Sequence, residues 1–195
     1  MRRCFVVLLT SALVLTIAAP SFAQQRRRRE IPRPVPDTGM LAVGVSISAA
    51  LPAEPFLTNG VDLAATAEGY LSPRVSLRGQ FSGSWWDIFG HSFNGSVNPM
   101  VFDGNVVYNF ERGVWHPYVT GGVGLYKYRF TEGTISSSDT KAGVDLGGGA
   151  EYFLTRRDTV SGEVLVHAVP GITNGALATY QARFWTIAAG YKRYF

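Results

Sequence analysis

The segment Met40-Leu41-Ala42-Val43-Gly44-Val45-Ser46-Ile47-Ser48-Ala49-Ala50 decides the fold class. Leu41, Val43, Val45, Ile47 and Ala49 share one parity, and Ala42, Gly44, Ser46 and Ser48 share the other. Successive side chains of a strand point to opposite faces, so a period of two predicts a strand with one apolar face and one small, polar face. The pattern returns at Val61–Leu71, Val75–Trp85, Met100–Phe110, Tyr118–Arg129, Ala142–Leu154, Thr159–Val169 and Ala182–Phe195. These runs of about 10–14 residues exceed the about 5–6 residues typical of soluble strands. They match the about 9–11 residues that a tilted strand needs to cross a bilayer.

The connections alternate in length. Short ones fall at residues 72–74, 111–113 and 155–157, and longer ones at Leu51–Gly60, Trp86–Pro99, Phe130–Lys141 and Pro170–Gln181. Short turns at one end and long loops at the other mark a membrane barrel with the short side periplasmic. An even number of strands returns both chain ends to that side. The expected architecture is therefore all-β, an eight-stranded antiparallel up-and-down transmembrane barrel over residues 39–195.

Alternation alone does not say which face points out, and a soluble lipocalin-like barrel shows the same period inside out. Three features favour apolar-out. The second face is built from Gly, Ser, Thr and charged residues. Aromatic residues gather near segment ends (Tyr70, Trp85, Trp86, Phe110, Trp115, Tyr118, Tyr126, Tyr128, Tyr152, Tyr191, Tyr194 and Phe195), which predicts interfacial girdles. The apolar face carries charge only near strand ends, at Lys127, Arg129, Arg183 and Arg193. There an ionised group costs about 0–1 kcal/mol, against about 2–4 kcal/mol for Arg or Lys at the midplane.

The N-terminal region reads as targeting and linker sequence. Arg2 and Arg3 precede an apolar run from Cys4 to Ala19, and Ser21-Phe22-Ala23 is a small-x-small site. This predicts a signal peptide over 1–23, cleaved before Gln24, rather than a retained helix. Cys4 is the one cysteine and leaves with it, so stability is expected without disulfides. Residues 24–38, with Arg26–Arg29, Pro32, Pro34 and Pro36, cannot bury a core and are expected to form a disordered tail. Its arginines either stay solvated or touch anionic head groups. The net charge of +4 comes from these ends. No basic stripe crosses the body, which argues against nucleic acid as a partner.

If the polar face lines the lumen, it gathers Asp62, Glu68, Arg78, Asp103, Asp145, Glu151, Glu163, His167 and Lys192. Buried charges need partners, so Arg78 and Lys192 are each expected to serve several carboxylates. Such a lumen is either a filled plug or, because acids outnumber bases, a narrow cation-preferring path.

Three stretches resemble the OmpA-type outer-membrane β-barrel domain family. They are His116-Pro117-Tyr118-Val119-Thr120-Gly121-Gly122-Val123-Gly124-Leu125-Tyr126, Asp145-Leu146-Gly147-Gly148-Gly149-Ala150-Glu151-Tyr152, and Gly190-Tyr191-Lys192-Arg193-Tyr194-Phe195. The resemblance implies an integral outer-membrane barrel and no particular substrate. It also implies that Trp185, Ile187, Tyr191 and Phe195 form the signal read by the barrel-assembly machinery. The partners expected are that machinery, outer-membrane lipid or lipopolysaccharide, and a host or surface ligand held by the loops, with the chain itself a monomer. The role expected is structural or interactive: membrane integrity, adhesion or ligand binding.

An enzyme is the third reading. His91-Ser92-Phe93-Asn94, followed by Asn98-Pro99, resembles the His-x-Ser-Asn motif of lipid A deacylases, but Phe93 stands where the nucleophilic serine should be. No catalytic set is expected from it. His91, His116 and His167 fit no metal-ligand spacing, and Gly147-Gly148-Gly149 lacks the Lys-Ser/Thr of a phosphate loop, so neither metal nor cofactor is expected.

Overall fold

A computed structural model describes residues 36–53, 57–87, 95–110, 113–132, 135–174 and 178–195. The expected signal peptide, the tail up to residue 35 and the His91–Asn94 motif lie outside the described residues. The strands are β1 (Leu41–Pro52), β2 (Gly60–Tyr70), β3 (Val75–Asp87), β4 (Gly95–Asn109), β5 (Trp115–Glu132), β6 (Ile135–Phe153), β7 (Asp158–Asn174) and β8 (Ala178–Tyr194). Each pairs antiparallel with its sequence neighbours, and β8 pairs with β1 from Ala42↔Tyr194 to Pro52↔Phe184, which closes the barrel.

The closure is staggered. One row of partners runs from Arg193 through Val43, Ala67, Gly79, Gly104, Val123, Val144 and Ala168 and returns to β8 at Arg183, ten residues away. A staggered register tilts the strands against the barrel axis and sets the width of the bore.

Burial settles which face meets the lipid. Leu41, Val45, Phe102, Val123 and Leu146 are all more than half exposed, Leu146 at 68%, while Asp103 and Glu151 are nearly sealed. A water-soluble protein rarely exposes a continuous apolar belt of this kind. The apolar parity therefore forms the outer wall, and the lipocalin-like alternative is excluded.

Two expectations need correction. Half of the proposed girdle points inward: Tyr70, Trp86, Tyr118, Tyr126, Tyr128 and Tyr194 are buried in the lumen. Parity overrides proximity to a strand end, since a girdle residue must share the parity of the lipid-facing side chains. Trp85, Phe110, Trp115, Tyr191 and Phe195 do so and are exposed. The second correction concerns loop length. Residues assigned to the loops 130–141 and 170–181 are largely strand, with Phe130↔Ser137 and Thr131↔Ser136 continuing the β5–β6 ladder. Above the membrane neither face needs to be apolar, so Ser136-Ser137-Ser138-Asp139-Thr140 loses its hydrophobic alternation while the ladder persists.

Local chemistry fixes the short turns and the wall. Ser72 Oγ accepts from the backbone N–H groups of Arg74 at 3.3 Å and Val75 at 3.0 Å. Thr155 Oγ1 does the same for Arg157 at 3.1 Å and Asp158 at 3.0 Å. Pro36 is buried, and Gly39, at φ 84°, turns the chain so that its N–H donates to Tyr70 O at 2.8 Å. In the triple-glycine run, a Cβ on Gly147 would lie 2.1 Å from Val164 O, and one on Gly149 would lie 2.7 Å from the Tyr118 hydroxyl. Close approach explains this run, not phosphate binding.

Closure predicts heat-modifiable mobility. The refolded chain will migrate faster unboiled than boiled on a detergent gel, and either Gly147→Val or removal of residues 190–195 will abolish the shift.

Candidate functional site

The lumen is layered. Its periplasmic end is closed by Ala42, Tyr70, Phe153 and Tyr194, and its extracellular end by a larger cluster that includes Trp86, Tyr126, Tyr128, Phe130 and Phe184. Trp86 packs edge-on to Phe184 at 5.2 Å between ring centroids, and Tyr70 lies 5.7 Å from Tyr194. These aromatic layers were not anticipated. The signal was present in the parity of each residue within its own strand, but their nearness to strand ends suggested a girdle.

Between the layers, five of the nine predicted lumen residues meet in one ion-pair network. Arg78 Nε donates to Glu68 Oε2 at 3.3 Å, and Arg78 Nη1 donates to Glu163 Oε2 at 2.5 Å. Lys192 Nζ bonds both Glu68 and Glu151. Hydroxyl groups complete the shell: Ser76 donates to Glu68, Tyr118 to Glu163 at 2.7 Å, and Tyr194 to Glu151 at 2.6 Å. The Arg78 guanidinium also lies 5.2 Å from the centre of the Tyr118 ring.

The register explains how these groups reach one another. Glu68 and Arg78 are direct cross-strand partners. Lys192 crosses β1 to reach Glu68, and the inward residues of β1 on that path are Ala42 and Gly44. A Cβ on Gly44 would sit 3.4 Å from Lys192 Cβ and 2.9 Å from Thr66 Oγ1, so glycine keeps the crossing open. Arg78 and Glu163 sit on β3 and β7, which face each other across a barrel of this strand count. Their ion pair therefore spans the bore. The cavity beside it measures about 30 Å³.

The other four predicted residues stand apart from the network. Asp62 accepts from Ser84 at 2.8 Å and Ser48 at 3.1 Å. Asp103 accepts from Asn105 Nδ2 at 2.7 Å through one oxygen. The other Asp103 oxygen and both oxygens of Asp145 have no hydrogen-bond partner among the described residues. His167 bonds the Tyr126 hydroxyl at 3.1 Å and stacks on Phe184 at 4.3 Å, so it belongs to the aromatic layer. Trp185, Ile187 and Tyr191 line the outer face of β8, and Phe195, just past its end, is exposed as well. Among the described residues no cluster of three or more His, Cys, Asp or Glu is placed to hold a metal ion.

A closed barrel with a lipid-facing apolar wall and a polar lumen is the geometry of the protein family whose model matches residues 9–192, the outer membrane protein beta-barrel domain. The chain belongs to that family. It is an integral protein of the outer membrane. No curated protein matches the chain. Among solved structures, this outer-membrane barrel is similar to Neisserial surface protein A at 14% identity, with 80% of this chain and 98% of that chain covered and a TM-score of 0.64. It is also similar to OprG of Pseudomonas aeruginosa, at 12% identity, 84% and 99% coverage and a TM-score of 0.62. The attachment invasion locus protein Ail of Yersinia pestis aligns at 14% identity, 80% and 99% coverage and a TM-score of 0.54. These likenesses establish a shared fold.

The network predicts an asymmetry in stability. Removing one member of a buried ion pair leaves its partners' charges uncompensated and costs about 3–5 kcal/mol. Glu68→Ala strands parts of both Arg78 and Lys192, so its unfolding free energy in urea and detergent micelles will fall by about that much. Lys141→Ala, in the half-exposed pair with Asp139, will leave the unfolding midpoint close to wild type.

Proposed function

We propose that this outer-membrane barrel serves as a surface-interaction protein, with its extracellular hairpins as the contact elements and no catalytic step of its own. The observation that carries the reading is strand length. β5 and β6 run 18 and 19 residues and β7 and β8 run 17 each, against the about 9–11 residues a bilayer requires. The surplus projects past the membrane as paired strand, so it offers a stiff surface at lower ordering cost than a floppy loop. Ail, similar in fold, is named for attachment and invasion and has been solved with the heparin analogue sucrose octasulfate, which fits the same use of such a barrel.

Replacing residues 130–137 by Asn-Gly shortens the β5–β6 hairpin and leaves the membrane-spanning ladder intact. Cells displaying the wild-type chain will adhere to heparin-coated or uncoated surfaces above the empty-vector level. The shortened variant will lose at least tenfold of that adhesion while keeping its gel shift. Adhesion unchanged by the shortening would overturn the proposal.

A narrow channel is the second reading, favoured by the excess of acids over bases in the lumen. The Arg78–Glu163 pair across the bore opposes it. In planar bilayers the wild-type chain will therefore show no sustained conductance steps. Steady cation-selective steps, raised further by Arg78→Ala, would move the channel to first place.

A further inference from the structure

The β6–β7 ladder ends at Val144↔Ala168 among the described residues. Above that point, among the described residues, β6 pairs with β5 and β7 with β8. The cause lies in the sequence of β7. Pro170 has no N–H to give to a ladder, Gly171 adopts φ 66°, and the β7–β8 register shifts between Val169 and Ile172. The two hairpins separate, and the fork holds a groove of about 400 Å³. This volume falls in the about 300–1,000 Å³ range of small-molecule sites.

The groove opens on the outer wall. Val123, Val144, Ala168 and Arg183 are successive partners in one row of the ladder, all on the lipid-facing parity, and all four line it with Ala142 and Pro170. The floor is apolar. Among the described lining residues the charged side chain is that of Arg183, two residues above Trp185, which is exposed on the same face. Arg183 lies ten residues from Arg193, the exposed cation at the periplasmic end of the same face of β8. A tilted strand crosses a bilayer in about 9–11 residues, so Arg183 stands at head-group level. Lys127, also exposed, rises on β5 four residues beyond Val123 and brings a second outward cation to the opposite side of the fork.

We infer that this fork is a lipid site, which takes one acyl chain of a lipid A molecule on the Val123–Val144–Ala168 floor and its phosphate at Arg183, with Lys127 as the second contact. An apolar trough alone would accept any chain. The guanidinium at its interfacial end selects an anionic head group, because Arg pairs bidentately with phosphate oxygens in a region of lowered dielectric. The long outward side of the barrel faces the outer leaflet, which makes a phosphorylated, multiply acylated amphiphile the matching occupant. The site lies on the wall below the hairpin ends, so it stands or falls separately from their role in adhesion.

The test uses the full-length chain purified from outer membranes into detergent, stripped of lipid and titrated with bis-phosphorylated lipid A by native mass spectrometry. One tightly held lipid A per chain is expected. Ala168→Phe fills the trough, Arg183→Gln removes the guanidinium, and each will raise the dissociation constant at least tenfold with the gel shift retained. Leu77→Phe, on the outer wall of β3 away from the fork, will bind as wild type. Lipid A without phosphates will bind wild type and Arg183→Gln alike. Wild-type affinity in both Ala168→Phe and Arg183→Gln would overturn the site. Equal binding of phosphatidylglycerol would overturn its assignment to lipid A, and a dimer with no lipid adduct would assign the groove to a second copy of the chain.

Discussion

Inside a bilayer no water is available to hydrogen-bond the backbone, so each N–H and C=O of the wall must find a partner in the protein. The β1–β8 ladder satisfies that requirement, and the rest of the molecule depends on it. Closing the sheet forces one parity into lipid and the other into a bore too narrow to stay empty. The apolar wall and the filled lumen are two consequences of one constraint. The inward residues cannot be chosen freely either. Where Tyr118 or Lys192 reaches past a neighbouring strand to its carboxylate, that strand carries glycine or alanine, as at Gly149 and Gly44.

The ion-pair network is a poor candidate for maximising stability, since desolvation offsets most of what a buried pair gains. Its geometry suits it better to specifying register. Lys192 lies on the strand that closes the barrel, and its partners Glu68 and Glu151 lie on β2 and β6, one strand beyond each of its neighbours. Both pairs form together only when β8 docks against β1 and β7 in the observed register. A slip of two residues would keep every side chain on its correct face and would satisfy the hydrophobic pattern equally well. It would also carry the ammonium about 6–7 Å along the strand, away from both carboxylates. Polar chemistry thus discriminates where the apolar wall cannot.

This division explains what the sequence discloses. The lipid-facing half is legible because lipid demands one kind of residue at every second position, as from Leu41 to Ala49. The charged members of the lumen are legible too, because Glu68, Arg78, Glu151, Glu163 and Lys192 fall on the other parity. Their pairing is partly hidden, since contacts between β3 and β7 or between β8 and β2 depend on the stagger of closure, which no single strand encodes. The aromatic layers are harder. Tyr70, Trp86 and Tyr128 fit an interfacial girdle by position and a lumen plug by parity, and only parity decides. The hairpin extensions are least legible. Ser136 to Thr140 are polar on both parities and keep their ladder without any hydrophobic contrast between faces.

The same boundary sets where the wall can open. Below the head-group level, a break between β6 and β7 would expose unpaired backbone to hydrocarbon at a cost of several kcal/mol per group. Above it, water can take over those hydrogen bonds, and Pro170 and Gly171 become tolerable in a strand. The ladder between β6 and β7 ends at Val144↔Ala168, one row of the wall whose β8 member is Arg183. The fork therefore begins where apolar side chains give way to a cation. A trough formed there has an apolar floor and a charged rim, because the two solvents that shape the barrel meet at that row.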